Sequence, residues 1–95
     1  MNAPTGPLTP ADAVGMRRSA VELLARSDRL GAVIGRLDAQ LGSMGYAGPA
    51  ADRFRLSMGE KRRVTAEAQR ILREAAEVLN RTAAATEASA SGRIL

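Results

Sequence analysis

Five cations fall within eleven residues, Arg53, Arg55, Lys61, Arg62 and Arg63, offset only by Asp52 and Glu60. Guanidinium groups in such a run could bind phosphate or carboxylate through paired N–H donors, with an affinity that falls steeply as salt rises. The same run is also what the solvated face of a helix looks like, and no aromatic residue interleaves with it to stack on bases. The only aromatic side chains are Tyr46 and Phe54. Tyr46 stands in a glycine-rich stretch, where it can fold onto its own turn or project toward a partner; Phe54 reads as a core residue.

Other chemistry is excluded more sharply. The chain has no cysteine and no histidine, which removes disulfides, thiolate and imidazole metal ligation, and triads or dyads built on those side chains. The carboxylates are scattered where they face solvent or an arginine, and Ser and Thr have no base to activate them. No set of convergent groups suggests an active site. The expectation is a non-enzymatic protein with no catalytic residue, no metal and no cofactor.

The elements that must position these residues are two amphipathic segments on either side of a break at Met44 to Phe54, MGYAGPAADRF. Thr9 suits an N-cap, Pro10 the first helical position and Asp12 the capping carboxylate, so the first helix starts cleanly. Ala13, Met16, Ala20, Leu23, Ser27, Leu30, Ile34, Leu37, Leu41 and Met44 then recur at alternating three- and four-residue steps, a heptad seam with one polar member. Val14, Val21, Leu24 and Val33 widen it. Ala25, Ala32, Gly35, Ala39 and Gly42 form a second row of small residues, either plain exposed positions or a second packing face. Gly31 and Gly35 cost helix stability and mark a close contact or a soft spot.

Gly42, Gly45 and Gly48 with Pro49 should turn the chain, and a second helix should begin near Pro49. Its seam is expected to run Ala51, Phe54, Met58, Lys61, Thr65, Ala68, Leu72, Ala75, Leu79 and Thr82, flanked by Val64, Ile71 and Val78. The heptad pattern thus predicts an all-α, two-helix antiparallel hairpin over residues 9–86 with its turn at about 42–49. Residues 1–8 and 87–95 are expected to be flexible tails, the second helix fraying after Asn80 as apolar bulk gives way to TAAATEASASGRIL. Pairs such as Arg18 with Glu22, Glu22 with Arg26, Arg70 with Glu74 and Arg73 with Glu77 sit at helical spacing on the solvated faces.

Hydrophobic residues make up 45% of the 95 and aromatics 2%, so the core must be aliphatic and thin. One interhelical seam gives such a small chain little margin, and a partner is expected, either a second copy or another hairpin. The packing or dimer seam is expected to draw on Leu23, Leu30, Ile34, Leu37, Leu41, Met58, Val64, Ile71, Leu72 and Leu79. No Sec-type signal pattern and no bilayer-length apolar run is present in the sequence, which leaves a soluble chain as the expectation. The net charge of +4, carried almost wholly by arginine, is also what a GC-rich genome and solubility would produce, so nucleic acid is a disfavoured partner.

Two long helices without cysteine, joined by an aromatic-x-Gly turn (Tyr46-Ala47-Gly48) that leads into Gly48-Pro49-Ala50-Ala51-x-x-Phe54, resemble the WXG-motif family of small type VII secretion proteins. The resemblance covers about Thr9 to Thr86, with tyrosine in place of tryptophan. It implies a hairpin that dimerises into a four-helix bundle, with Tyr46, Gly48 and Phe54 as the recognition corner. The implied partners are a second copy or another such hairpin, and the type VII ATPase. The family's export element, Tyr-x-x-x-Asp or Glu after the second helix, has no counterpart, since Tyr46 is the single tyrosine. The resemblance therefore implies either a dimeric protein secreted through the type VII route or a cytoplasmic accessory that travels with a larger effector. The competing readings are a basic nucleic-acid-binding or regulatory protein and a helical oligomerisation module unconnected with secretion.

Overall fold

The computed structural model describes the backbone of residues 7–45 and 47–94, and the side chains of these up to residue 92. Two helices account for almost all of it, α1 (Pro10–Ser43) and α2 (Pro49–Ile94). They pack antiparallel as a hairpin of 70 × 27 × 15 Å. The described residues contain no strand.

α1 begins as its sequence requires. The Thr9 hydroxyl accepts from the Asp12 amide at 3.2 Å while the Asp12 carboxylate accepts from the Thr9 amide at 2.7 Å. This reciprocal pair, with Pro10 following the cap, satisfies two of the donors that a helix start leaves open. At the other end Ser43 donates to the Gln40 carbonyl at 3.1 Å, and Met44 leaves the helix in an extended conformation. The chain reverses through Gly48, whose φ of 110° is the one positive value among the described residues. Its carbonyl accepts the first bond of α2 from the Asp52 amide at 3.0 Å. Glycine is needed there because a side chain at that φ meets its own backbone. Pro49 then starts α2, where a missing N–H costs nothing.

Every expected seam position of α1, from Ala13 to Met44, is buried or half-buried, and Ser27 is almost wholly enclosed. The seam of α2 is turned by one residue from the expected one. Ala51, Met58, Thr65, Leu72 and Leu79 face α1 as expected, but the accompanying row is Arg55, Arg62, Gln69, Ala76 and Ala83 in place of Phe54, Lys61, Ala68, Ala75 and Thr82. Ala76 and Ala83 are fully buried, Arg55 and Gln69 half-buried, and Phe54 and Lys61 exposed; Ala68, Ala75 and Thr82 lie on the flank, half-buried. The physical reason is size. Where α1 presents Ala13, Ala20 and Ser27, close helix approach leaves room opposite for Ala83 and Ala76 and not for valine or isoleucine; Phe54 lies beyond that stretch, at the turn beside Met44.

α2 also continues past the expected boundary at 86. Ala83 and Thr86 are buried and Ala90 half-buried, so small residues extend the seam alongside the start of α1. Arg17 donates to Glu87 across it at 2.7 Å. Alanine has the highest helix propensity of any residue, so the helix persists where apolar bulk is lost.

Candidate interaction surface

The inner seam is held by one polar clasp. Ser27 donates through its hydroxyl to the Gln69 carbonyl at 3.3 Å, and the Gln69 carboxamide donates back to the Ser27 carbonyl at 3.1 Å. Gly31 makes room for this, since a Cβ there would lie 2.8 Å from the Gln69 Nε2. The seam glycine is thus a close-contact point, whereas Gly35 faces open space. Gln69 played no part in the sequence expectations; the signal was a polar residue at seam spacing opposite a serine.

Two ion pairs fix the register on one side of the hairpin, Arg17 with Glu87 near the open end and Arg62 with Asp38 nearer the turn. Arg62 meets both carboxylate oxygens of Asp38, at 2.6 and 3.3 Å. The hydrogen bond from Arg62 holds the Asp38 carboxyl below its ordinary value of 3.8 and raises the guanidinium in turn. On the outer face of α2, Arg63 bonds to Glu60, and Arg70 bridges Glu67 and Glu74, lowering the Glu60 and Glu67 carboxyls and raising both arginines. Arg81 pairs with Glu77 at 3.8 Å.

The expected basic cluster is therefore dispersed. Arg55 pairs with Asp52, Arg62 with Asp38 and Arg63 with Glu60. Lys61 and Arg62, adjacent in sequence, project about 100° apart around the helix. Lys61 borders a groove with Val33, Leu37 and Val64 on the side away from the Asp38 pair, and Arg53 is exposed. Tyr46 lies outside the described residues. Phe54, expected in the core, is 47% exposed and lines an open groove at the turn with Met44, Ala47 and Ala50.

The displaced large residues make a surface of their own. Val64, Ile71 and Val78 are 54%, 52% and 51% exposed and follow Phe54 along one side of α2. Of the residues expected in a packing or dimer seam, Met58 is buried and Leu23, Leu30, Ile34, Leu37, Leu41, Leu72 and Leu79 are half-buried between the helices; Val64 and Ile71 stand outside. Val14, Val21 and Leu24 are exposed on α1. Three- and four-residue stepping places them on the Arg17–Glu87 side, away from the α2 stripe. The chain exposes 6983 Å² in total, against about 5,200 Å² for a compact monomer of its mass.

Among the described residues no group of three or more Asp, Glu, His or Cys side chains could hold a metal, and no helix is long and apolar enough to cross a membrane. Comparison with protein-family models, curated proteins and solved structures returns no match.

Proposed function

We propose that the chain is a non-enzymatic association module, a helical hairpin of a type VII secretion system that acts as a dimeric secreted substrate or as the accessory partner of a larger effector. The observation that carries the association part is the stripe of Phe54, Val64, Ile71 and Val78, half exposed beside a seam that buries mainly small residues. Exposed apolar rows of this kind, here Val64, Ile71 and Val78 with Phe54 beyond Lys61, mark on a small protein a surface made to be covered. The secretion part is supported by the Tyr46-Ala47-Gly48 turn and the run to Phe54, together with a hairpin that folds back at that turn.

The test is expression in a host with a working type VII apparatus, with and without a second hairpin protein of that system, followed by detection in the medium. Appearance in the medium is the expected result, without the second protein for a dimeric substrate and only with it for an accessory partner. Export alone would remove the accessory role, and retention in the cell under every condition would remove the secretion reading. Nothing in the geometry favours the nucleic-acid alternative, since Arg55, Arg62 and Arg63 already pair with carboxylates. A salt titration separates the two, because phosphate binding weakens by orders of magnitude where an apolar seam does not.

A further inference from the structure

The stripe on α2 consists of two rows at seven-residue spacing, half-buried at Ala68, Ala75 and Thr82 and exposed elsewhere, with Leu8 beside Thr82 and Ala85 at its far end. One holds Phe54, Lys61, Ala68, Ala75 and Thr82; the other holds Ser57, Val64, Ile71, Val78 and Ala85. Reversed and laid against itself, the stripe is complementary in size. Phe54 then meets Ala85, Val64 meets Ala75 and Ile71 meets Ala68, a large side chain opposite a small one each time. Ser57 meets Thr82, and the Lys61 stem can lie over Val78 with its ammonium reaching water.

We infer that this stripe is the contact surface for a second copy of the chain, with the two α2 helices antiparallel about a two-fold axis passing between Gln69 and Arg70. The inference rests on the association reading above and names its partner and register. An isologous contact requires a self-complementary patch, and this alternation of sizes supplies one. Charge agrees at the outer edge of the stripe, where the same arrangement sets Glu60 of one copy, which also pairs with Arg63 of its own helix, near Arg81 of the other; among the described residues Arg81 pairs with Glu77, at 3.8 Å. The like charges Glu67 and Glu74, which also approach, are each bridged by the Arg70 of their own helix. α1 offers no equivalent row on this side: the row through Val33 continues as Ser19, Arg26 and Gln40, all exposed. The seam is therefore α2 against α2. From Phe54 to Ala85 it is about 47 Å long and one helix wide, a footprint of several hundred Å², on the order of what each partner buries in a stable complex.

The chain has no cysteine, so cross-linking reads the register directly. Val64→Cys and Ala75→Cys proteins are oxidised separately and as a mixture, with helicity checked by circular dichroism. Like positions of the two copies would lie about 16 Å apart along the axis, too far for a disulfide, while Val64→Cys of one copy meets Ala75→Cys of the other. The expected result is a linked dimer in the mixture alone. Linkage of the Val64→Cys protein with itself would overturn the antiparallel register. Absence of linkage in the mixture, with light scattering showing a monomer, would overturn the second copy as partner. Ile71→Asp distinguishes that failure from failure of the association reading. It should weaken self-association by at least about 100-fold with helicity unchanged, since Ile71 lies outside the inner seam. A wild type that is monomeric and exported, with export lost in Ile71→Asp, would leave association with a different protein standing, whereas export and dimerisation both unchanged in Ile71→Asp would remove both readings.

Discussion

Ser27, which is buried, and Gln69, which is half-buried, exchange two hydrogen bonds across the seam, so the partner of each is on the other helix. Ser27→Ala should cost about 1 kcal/mol, and the double change with Gln69→Ala should cost less than the sum of the single ones, because both act through one clasp. Urea denaturation of the four proteins measures this, and strict additivity would show that the two bonds do not act together. The glycines separate in the same experiment. Gly35→Ala should gain roughly 0.5–1 kcal/mol from helix propensity alone, because nothing lies within 4 Å of the added carbon. Gly31→Ala should fail to show that gain, since the added carbon displaces the Gln69 carboxamide from its place 2.8 Å away.

At the scale of elements, the two helices are joined by the turn, the clasp and two side-chain pairs. Asp38 titrates below its ordinary 3.8 because Arg62 of the other helix donates to its charged form. A depressed folded value means that the stability it contributes is fully present above the unfolded value and is lost as pH falls through the folded one. Melting temperature should therefore fall below about pH 4, and Asp38→Asn should remove part of that dependence while leaving the outer-face Glu60 and Glu67 contributions, which have the same sign. An Asp38→Asn profile superimposable on the wild type would show that the pair does not couple the helices. Deleting residues 87–95 should lower the melting temperature by several degrees, because it removes Glu87 from Arg17 and Ala90 from the end of the seam. An unchanged melting temperature would show that the final turns do not contribute.

Much of this element-level architecture was legible in the residues. The Thr9–Asp12 cap, the α1 heptads and the Gly48–Pro49 reversal are local features, each readable from a few side chains whose conformational needs are narrow. The α2 seam departs from its hydrophobic periodicity for a physical reason. Hydrophobic periodicity ranks residues by apolar size, so Phe54, Ile71 and Val78 drew the expected seam toward themselves, whereas close helix approach selects alanine at 76 and 83. The C-terminal turns stay helical for the same reason, since small residues continue the seam there. The basic cluster looked continuous in sequence, but its partners Asp38, Asp52 and Glu60 become visible only when helical phase and the facing helix are both known.

The whole molecule is an elongated hairpin that leaves Phe54, Val64, Ile71 and Val78 on the outside of α2 while Ala76 and Ala83 are buried inside. A second copy covers that stripe without rearranging the hairpin, because the surface needed is already formed on a single helix. The central claim is most directly tested by light scattering coupled to size exclusion across a range of concentrations, on the wild type and on Ile71→Asp, with circular dichroism on the same fractions. The account predicts a helical wild-type dimer at twice the 10.0 kDa chain mass and an equally helical Ile71→Asp monomer. A wild type that stays monomeric and helical at every concentration, or an Ile71→Asp protein that dimerises as well as the wild type, would contradict it.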